Sequence, residues 1–117
     1  MNTATNQPNT PKRYADCIAA CQACVLACEG CASACLRESE VTAMARCIVL
    51  DRDCADLCAL AATLMARDSE HASALCALCA NVCDACAVEC GSHKMDHCQA
   101  CAAACKRCAE ACRAMAH

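Results

Sequence analysis

The chain has 117 residues, 19 of them Cys against one Tyr and no Phe or Trp, and a net charge of −3 with His neutral. That length suits one domain, and the mild negative charge excludes the clustered positive surface of a nucleic-acid binder. Two Gly and two Pro are too few for a loop-rich disulfide scaffold, and charges break the apolar stretches short of the ~20 residues of a membrane span.

Residues 1–10 are polar and rich in Asn and Thr. They are expected to form a disordered tail. Starting at Met1, they lack the basic start and apolar core of a secretory signal, which points to the cytoplasm, where thiols stay reduced. Thr10-Pro11 reads as a helix start, with Thr as N-cap and Pro first in the helix. Breaks follow at Arg37-Glu38-Ser39-Glu40 (Ser39 as cap), Arg67-Asp68-Ser69-Glu70 (Asp68 or Ser69 as cap) and Gly91-Ser92, a helix-ending Gly before a new cap. Residues 11–117 are thus expected to be one domain of four helices, near 11–38, 41–67, 70–90 and 93–116. Gly30 falls inside the first and weakens it by ~1 kcal/mol relative to Ala, a cost that close packing there would explain.

The cysteines follow the helices. The first carries Cys17, Cys21, Cys24, Cys28, Cys31 and Cys35; the third Cys76, Cys79, Cys83, Cys86 and Cys90; the fourth Cys98, Cys101, Cys105, Cys108 and Cys112. The module C-x2-C-x3-C-x2-C-x3-C occurs once in each, and a 3-4 alternation marks the seam of a packed helix. The second helix has Cys47, Cys54 and Cys58 in a frame that continues as Met44, Asp51, Ala61 and Met65. Short links make neighbours antiparallel. The fold class is therefore all-α, an up-down-up-down four-helix bundle with a Cys-lined core.

Residues three and four apart on a helix have Cβ atoms ~5–6 Å apart, close enough for two thiolates to share a metal ion. The continuous alternation, with facing helices adding partners across the core, predicts a ladder of two- and three-sulfur sites and not isolated four-sulfur cages. Soft thiolates select Cu(I), Zn(II) or Fe–S clusters. Cu(I) fits best. It accepts two or three sulfurs, and one Cu(I) per bridging thiolate, ~19 per chain, keeps the core near neutral. Four unbridged Zn(II) sites would bury about −8. Neutral Cys is also a small hydrophobe, so the bundle can fold before metal arrives. The bland alternative, Cys as core filler, is disfavoured because Leu buries more apolar area. A disulfide framework is disfavoured by the odd count and the expected compartment.

Met44, Met65 and Met115 extend the seams at the bundle ends, and His71, His93, His97 and His117 lie near helix ends. All default to filler, caps or solvated groups, with auxiliary ligation as the alternative for Met44, Met65, His71, His93, His97 and Met115. By topology Met44, His93 and His97 share one end with Cys35, Cys47, Cys90 and Cys98, while Met65, His71 and Met115 share the other with Cys17, Cys76 and Cys112. Either end could be the mouth. Asp51 is expected at a seam edge, paired with Arg or exposed.

These modules, at 21–35, 76–90 and 98–112 with the sparser Cys47, Cys54 and Cys58, make the chain resemble the bacterial copper storage proteins, specifically their cytosolic branch. The resemblance covers about residues 13–116. It implies a four-helix bundle loading many Cu(I) ions through its 19 Cys, cytosolic copper storage and protection, a homotetramer, and Met or His ligands near an open end. Exchange would involve copper ions with a copper chaperone or small thiol as partner, and neither nucleic acid nor membrane. The expected protein is not an enzyme. The main alternative is a metallothionein-like zinc or cadmium buffer. A C-x-x-C redox enzyme ranks lower, because such a site needs one motif at a helix start near a βαβ unit. A one-ion chaperone ranks lower too, because delivery needs only a site or two.

Overall fold

The computed structural model describes residues 11–116. Four helices carry the chain: α1 (Ala15–Cys35), α2 (Ala45–Ala66), α3 (Ala72–Gly91) and α4 (Asp96–Met115). Short 3-10 turns at Lys12–Tyr14 and Val41–Met44 lead into α1 and α2, and no strand occurs among the described residues. The cause is local and simple. Each segment is rich in Ala and unbranched residues and free of internal Pro, and each presents one buried stripe at 3-4 spacing. α1 packs beside α2 and α4, and α3 beside the same two. The result is the antiparallel bundle predicted from the spacing.

The helix ends fall within about four residues of expectation, a normal boundary error, but several caps differ. The expected tail and the Thr10 cap lie outside the described residues. No side chain caps α2, so Ser39 does not act there. Between α2 and α3, Asp68 adopts a left-handed conformation at φ 53°. Its N–H donates to Met65 O at 3.1 Å, and Ser69 N–H donates to Leu64 O at 2.9 Å. This pair of reverse bonds is the Schellman arrangement, with Asp where Gly is commonest. Asp68 thus ends α2, while Ser69 Oγ accepts from the His71 N–H at 3.0 Å before α3. Ser92 does not cap α4. Its hydroxyl donates back to Glu89 O at 2.6 Å, and α4 starts after Met95. Gly91 lacks a positive φ and stays inside α3.

Gly30 has no packing role: a Cβ there would meet nothing within 4 Å. One expectation about apolar length also changes. Lys12–Cys35 and Ala72–Gly91 are long and apolar enough to cross a membrane. Hydropathy arises there from Cys and Ala, and their cysteine stripes face the bundle core.

Candidate metal centre

All 19 cysteines are free thiols and all are buried, none more than 2% exposed. The four seams face one another because no other stripe on any helix is as apolar. Across α1 and α4, Sγ atoms approach at Cys21–Cys112 (3.6 Å), Cys24–Cys105 (3.7 Å), Cys28–Cys105 (3.5 Å) and Cys31–Cys98 (3.9 Å). Across α2 and α3 they approach at Cys47–Cys90 (3.3 Å), Cys54–Cys83 (3.4 Å) and Cys58–Cys79 (3.5 Å). Cys58–Cys108 at 3.6 Å joins the two halves. With metal–sulfur bonds of ~2.3 Å, two sulfurs on one ion stand about 3.8–4.6 Å apart. The thiols are therefore nearly in ligating position already.

The ladder is denser than the spacing predicted. Four Sγ atoms lie within 4.8 Å of one another in Cys21–Cys79–Cys108–Cys112, Cys24–Cys58–Cys83–Cys108, Cys24–Cys28–Cys54–Cys105 and Cys28–Cys86–Cys101–Cys105. Facing helices were expected to add partners, but the register between helices, which brings four sulfurs together, is set by packing and not by spacing. These groups are not isolated cages. Cys24, Cys28, Cys105 and Cys108 each belong to two of them, which suits bridging thiolates.

One end carries a nitrogen. His97 Nδ1 lies 3.5 Å from Cys31 Sγ and 3.6 Å from Cys98 Sγ, and these three with Cys35 form a further compact group. His97 Nε2–H donates to Glu38 Oε2 at 3.0 Å. A carboxylate accepts only, so Nδ1 is left with its lone pair toward the sulfurs. Its side chain is 26% exposed. The sequence placed His97 at this end but missed Glu38, which the α1–α2 link brings across 59 residues. His93 pairs instead with Glu89 at 2.8 Å, and the His71 residue is exposed. Met44 is buried at the His97 end, and Met115 packs against the core at the other. There Met65 is 0% exposed and its Sδ accepts from Cys76 S–H at 3.7 Å. His117 lies outside the described residues.

Asp51 is the largest departure. It is neither exposed nor paired with Arg; it is 0% exposed. Its Oδ1 accepts S–H bonds from Cys86 (3.2 Å), Cys90 (3.3 Å) and Cys101 (3.2 Å), with Cys47 3.9 Å from Oδ2. The frame of α2 forces position 51 inward, and the surrounding thiol donors offset the cost of burying a polar group. Burial, with the neighbouring Cys101 and Cys86, pushes its carboxyl up to about 9, so it holds its proton at neutral pH. Burial likewise pushes the Cys76 and Cys98 thiols up, to about 12 and about 11. Without metal these two thiols are neutral, so their thiolates form as metal displaces a proton.

A family model described as copper storage protein matches residues 10–117. The chain belongs to the copper storage protein family. Among similar proteins, the cysteine-rich protein YhjQ of Bacillus subtilis is 55% identical over 100 residues, covering 86% of this chain and 93% of that one. The solved Cu(I)-bound copper storage protein BsCsp3 superposes with a TM-score of 0.87 at 52% identity, covering 91% of this chain and all of that one. Ccsp of Streptomyces lividans, loaded with 10 copper equivalents, gives a TM-score of 0.86 at 36% identity, covering 97% and 92%. Both the bundle and the copper-storage reading of the cysteine modules are borne out, and the zinc or cadmium buffer is not favoured.

Proposed function

We propose that this copper storage family member holds Cu(I) as cargo along its whole sulfur column, with all 19 Cys as ligands and about one ion per thiolate. The observation that carries this reading is the sharing of Cys24, Cys28, Cys105 and Cys108 between overlapping four-sulfur groups. Shared sulfurs give bridged ions, and bridged Cu(I) keeps the buried column near neutral, which separate tetrahedral Zn(II) sites would not. The chain is a store and not a catalyst. The Streptomyces lividans relative is described as cytosolic, which supports the cytoplasm for this chain.

Copper enters at the His97 end. His97 Nδ1 receives the ion at the half-exposed rim and passes it to Cys31 and Cys98. Each ion displaces a thiol proton and moves inward by exchange between neighbouring groups. Delivery and withdrawal fall to a copper chaperone or small thiol. The bundle assembles as a homotetramer. Support comes from a groove between α1 and α2 lined by Val25, Leu26, Ala59 and Ala62 with Gln22 and Thr63, in which Leu26 is 76% exposed.

The test is an anaerobic Cu(I) titration of the reduced protein against a competing chelator. Saturation near one ion per Cys, with helical signal unchanged, is expected. Saturation at one or two ions would make the protein a carrier.

A further inference from the structure

The bundle end opposite His97 carries the chain's one Tyr. Tyr14, 7% exposed, precedes α1 there. The Arg13 guanidinium stacks 4.5 Å from the centre of its ring, donates to the Tyr14 hydroxyl and pairs with Asp68 at 3.3 Å. That pair ties the start of α1 to the turn that ends α2. Toward this end the pattern of thiols changes. Continuing the frame of α2 from Cys54 and Cys58 gives Ala61 and then Met65, so a thioether occupies the last sulfur position. Met65 is fully buried, and its Sδ lies 3.7 Å from Cys76 Sγ. That separation is close to the ~4.0 Å expected of two sulfurs on one three-coordinate ion. Met44, the other buried methionine, has no such sulfur partner among the contacts of the described residues.

We propose that Met65 Sδ and Cys76 Sγ form a mixed thioether–thiolate Cu(I) site that closes the sulfur column beneath Tyr14. The proposal rests on the copper-storage reading of the cysteines and adds a ligand of another class. Its logic is charge. In the middle of the column a thiolate is shared between ions, so sulfur and copper balance. The last position has no further ion beyond it. A thiolate there would leave an unshared negative charge against a wall of Tyr and Ala, which is costly. A thioether binds Cu(I) softly and brings no charge, so Cu(I) with the Cys76 thiolate and Met65 is neutral. Loading this site breaks the Cys76 S–H bond, forms Cu–S bonds to Cys76 and Met65, and releases one proton to solvent, with copper remaining Cu(I).

The experiment uses selenomethionine-labelled full-length protein, saturated anaerobically with Cu(I), and selenium-edge X-ray absorption. A copper neighbour at bonding distance from selenium is expected, and it should vanish in labelled Met65→Leu while copper capacity falls by about one ion per chain. A selenium spectrum without copper, from protein that still binds about one ion per Cys, would overturn this site and leave the storage reading standing. A copper neighbour that survives in Met65→Leu would overturn it too, because another methionine would then be the ligand. Failure of the labelled wild type to take up copper beyond one or two ions would overturn the storage reading and this proposal together. The wild-type spectrum needs no substitution, so poor folding of the variant cannot decide the outcome.

Discussion

The two ends of the bundle are made from the same helices yet differ in kind. At the His97 end a half-exposed imidazole meets two thiols, and a carboxylate from the α1–α2 link holds its other nitrogen. At the Tyr14 end stand a buried aromatic ring, an exposed Arg–Asp pair beside it and a thioether that accepts from Cys76 S–H. The difference teaches that a sulfur column needs asymmetric termini. One end must let an ion shed its donor, which calls for an exposed ligand. The other must stop the column without leaving charge or water inside, which calls for neutral, bulky groups.

Removing Tyr14 is expected to have the largest effect. Tyr14→Ala deletes the protein's one aromatic side chain from a buried position and should cost about 3 kcal/mol of metal-free stability, read by thermal or denaturant unfolding. It should also open a second route to copper. Uptake measured by stopped flow would then become less dependent on His97. An uptake rate as sensitive to His97 as in the wild type would show that Tyr14 is packing alone.

Next comes the mouth. His97→Ala should slow Cu(I) transfer from a chelating donor by roughly 10- to 100-fold while changing the final capacity by about one ion at most, and Glu38→Ala should produce a smaller part of the same slowing. Equal rates in wild type and His97→Ala would move the mouth elsewhere.

Asp51 lies on the His97 side of the column, and its effect is set by pH. Its pKa is about 3.8 unfolded and about 9 folded. Between these values the folded form holds a proton that the unfolded form has lost, so its contribution to stability falls as pH rises from about 4 to about 9. Asp51→Asn removes this slope. In the metal-free protein the variant should match wild type most closely near pH 4 and be the more stable toward pH 9, checked by unfolding across that range. A gap independent of pH would show that Asp51 is ionised when folded.

The smallest effect is expected from Gly30→Ala, on an exposed face of α1 beside Cys31 but turned away from the core. The new Cβ meets nothing, so α1 should gain up to ~1 kcal/mol from helix propensity alone, with copper capacity and uptake rate unchanged. This variant supplies the baseline for stability change that leaves both termini intact.

Much of this design was legible in the chain. The 3-4 spacing of Cys17 to Cys35, Cys76 to Cys90 and Cys98 to Cys112 dictates one apolar stripe per helix, and short links dictate antiparallel neighbours. Together they place His97 with Cys35 and Cys98, and Met65 with Cys76, before any coordinate is known. Three features were not legible. Ser39 and Ser92 look like caps, yet backbone geometry decides whether an N–H lies within their reach. Asp51 looks like a surface carboxylate because the donors that satisfy it, Cys86, Cys90 and Cys101, come from two other helices. Gly30 suggests close packing, but its face of α1 meets no neighbour.

The sequence by itself determined the helices, the facing of the thiols and the soft-metal chemistry, because periodicity and residue type are local properties of the chain. The tertiary structure decided which sulfurs are shared between groups, which end sets an imidazole against the thiols, and that a carboxyl is stable among thiols. Those depend on distances between helices, and distances of a few ångströms across a core are set by packing and not by spacing along any one strand of sequence.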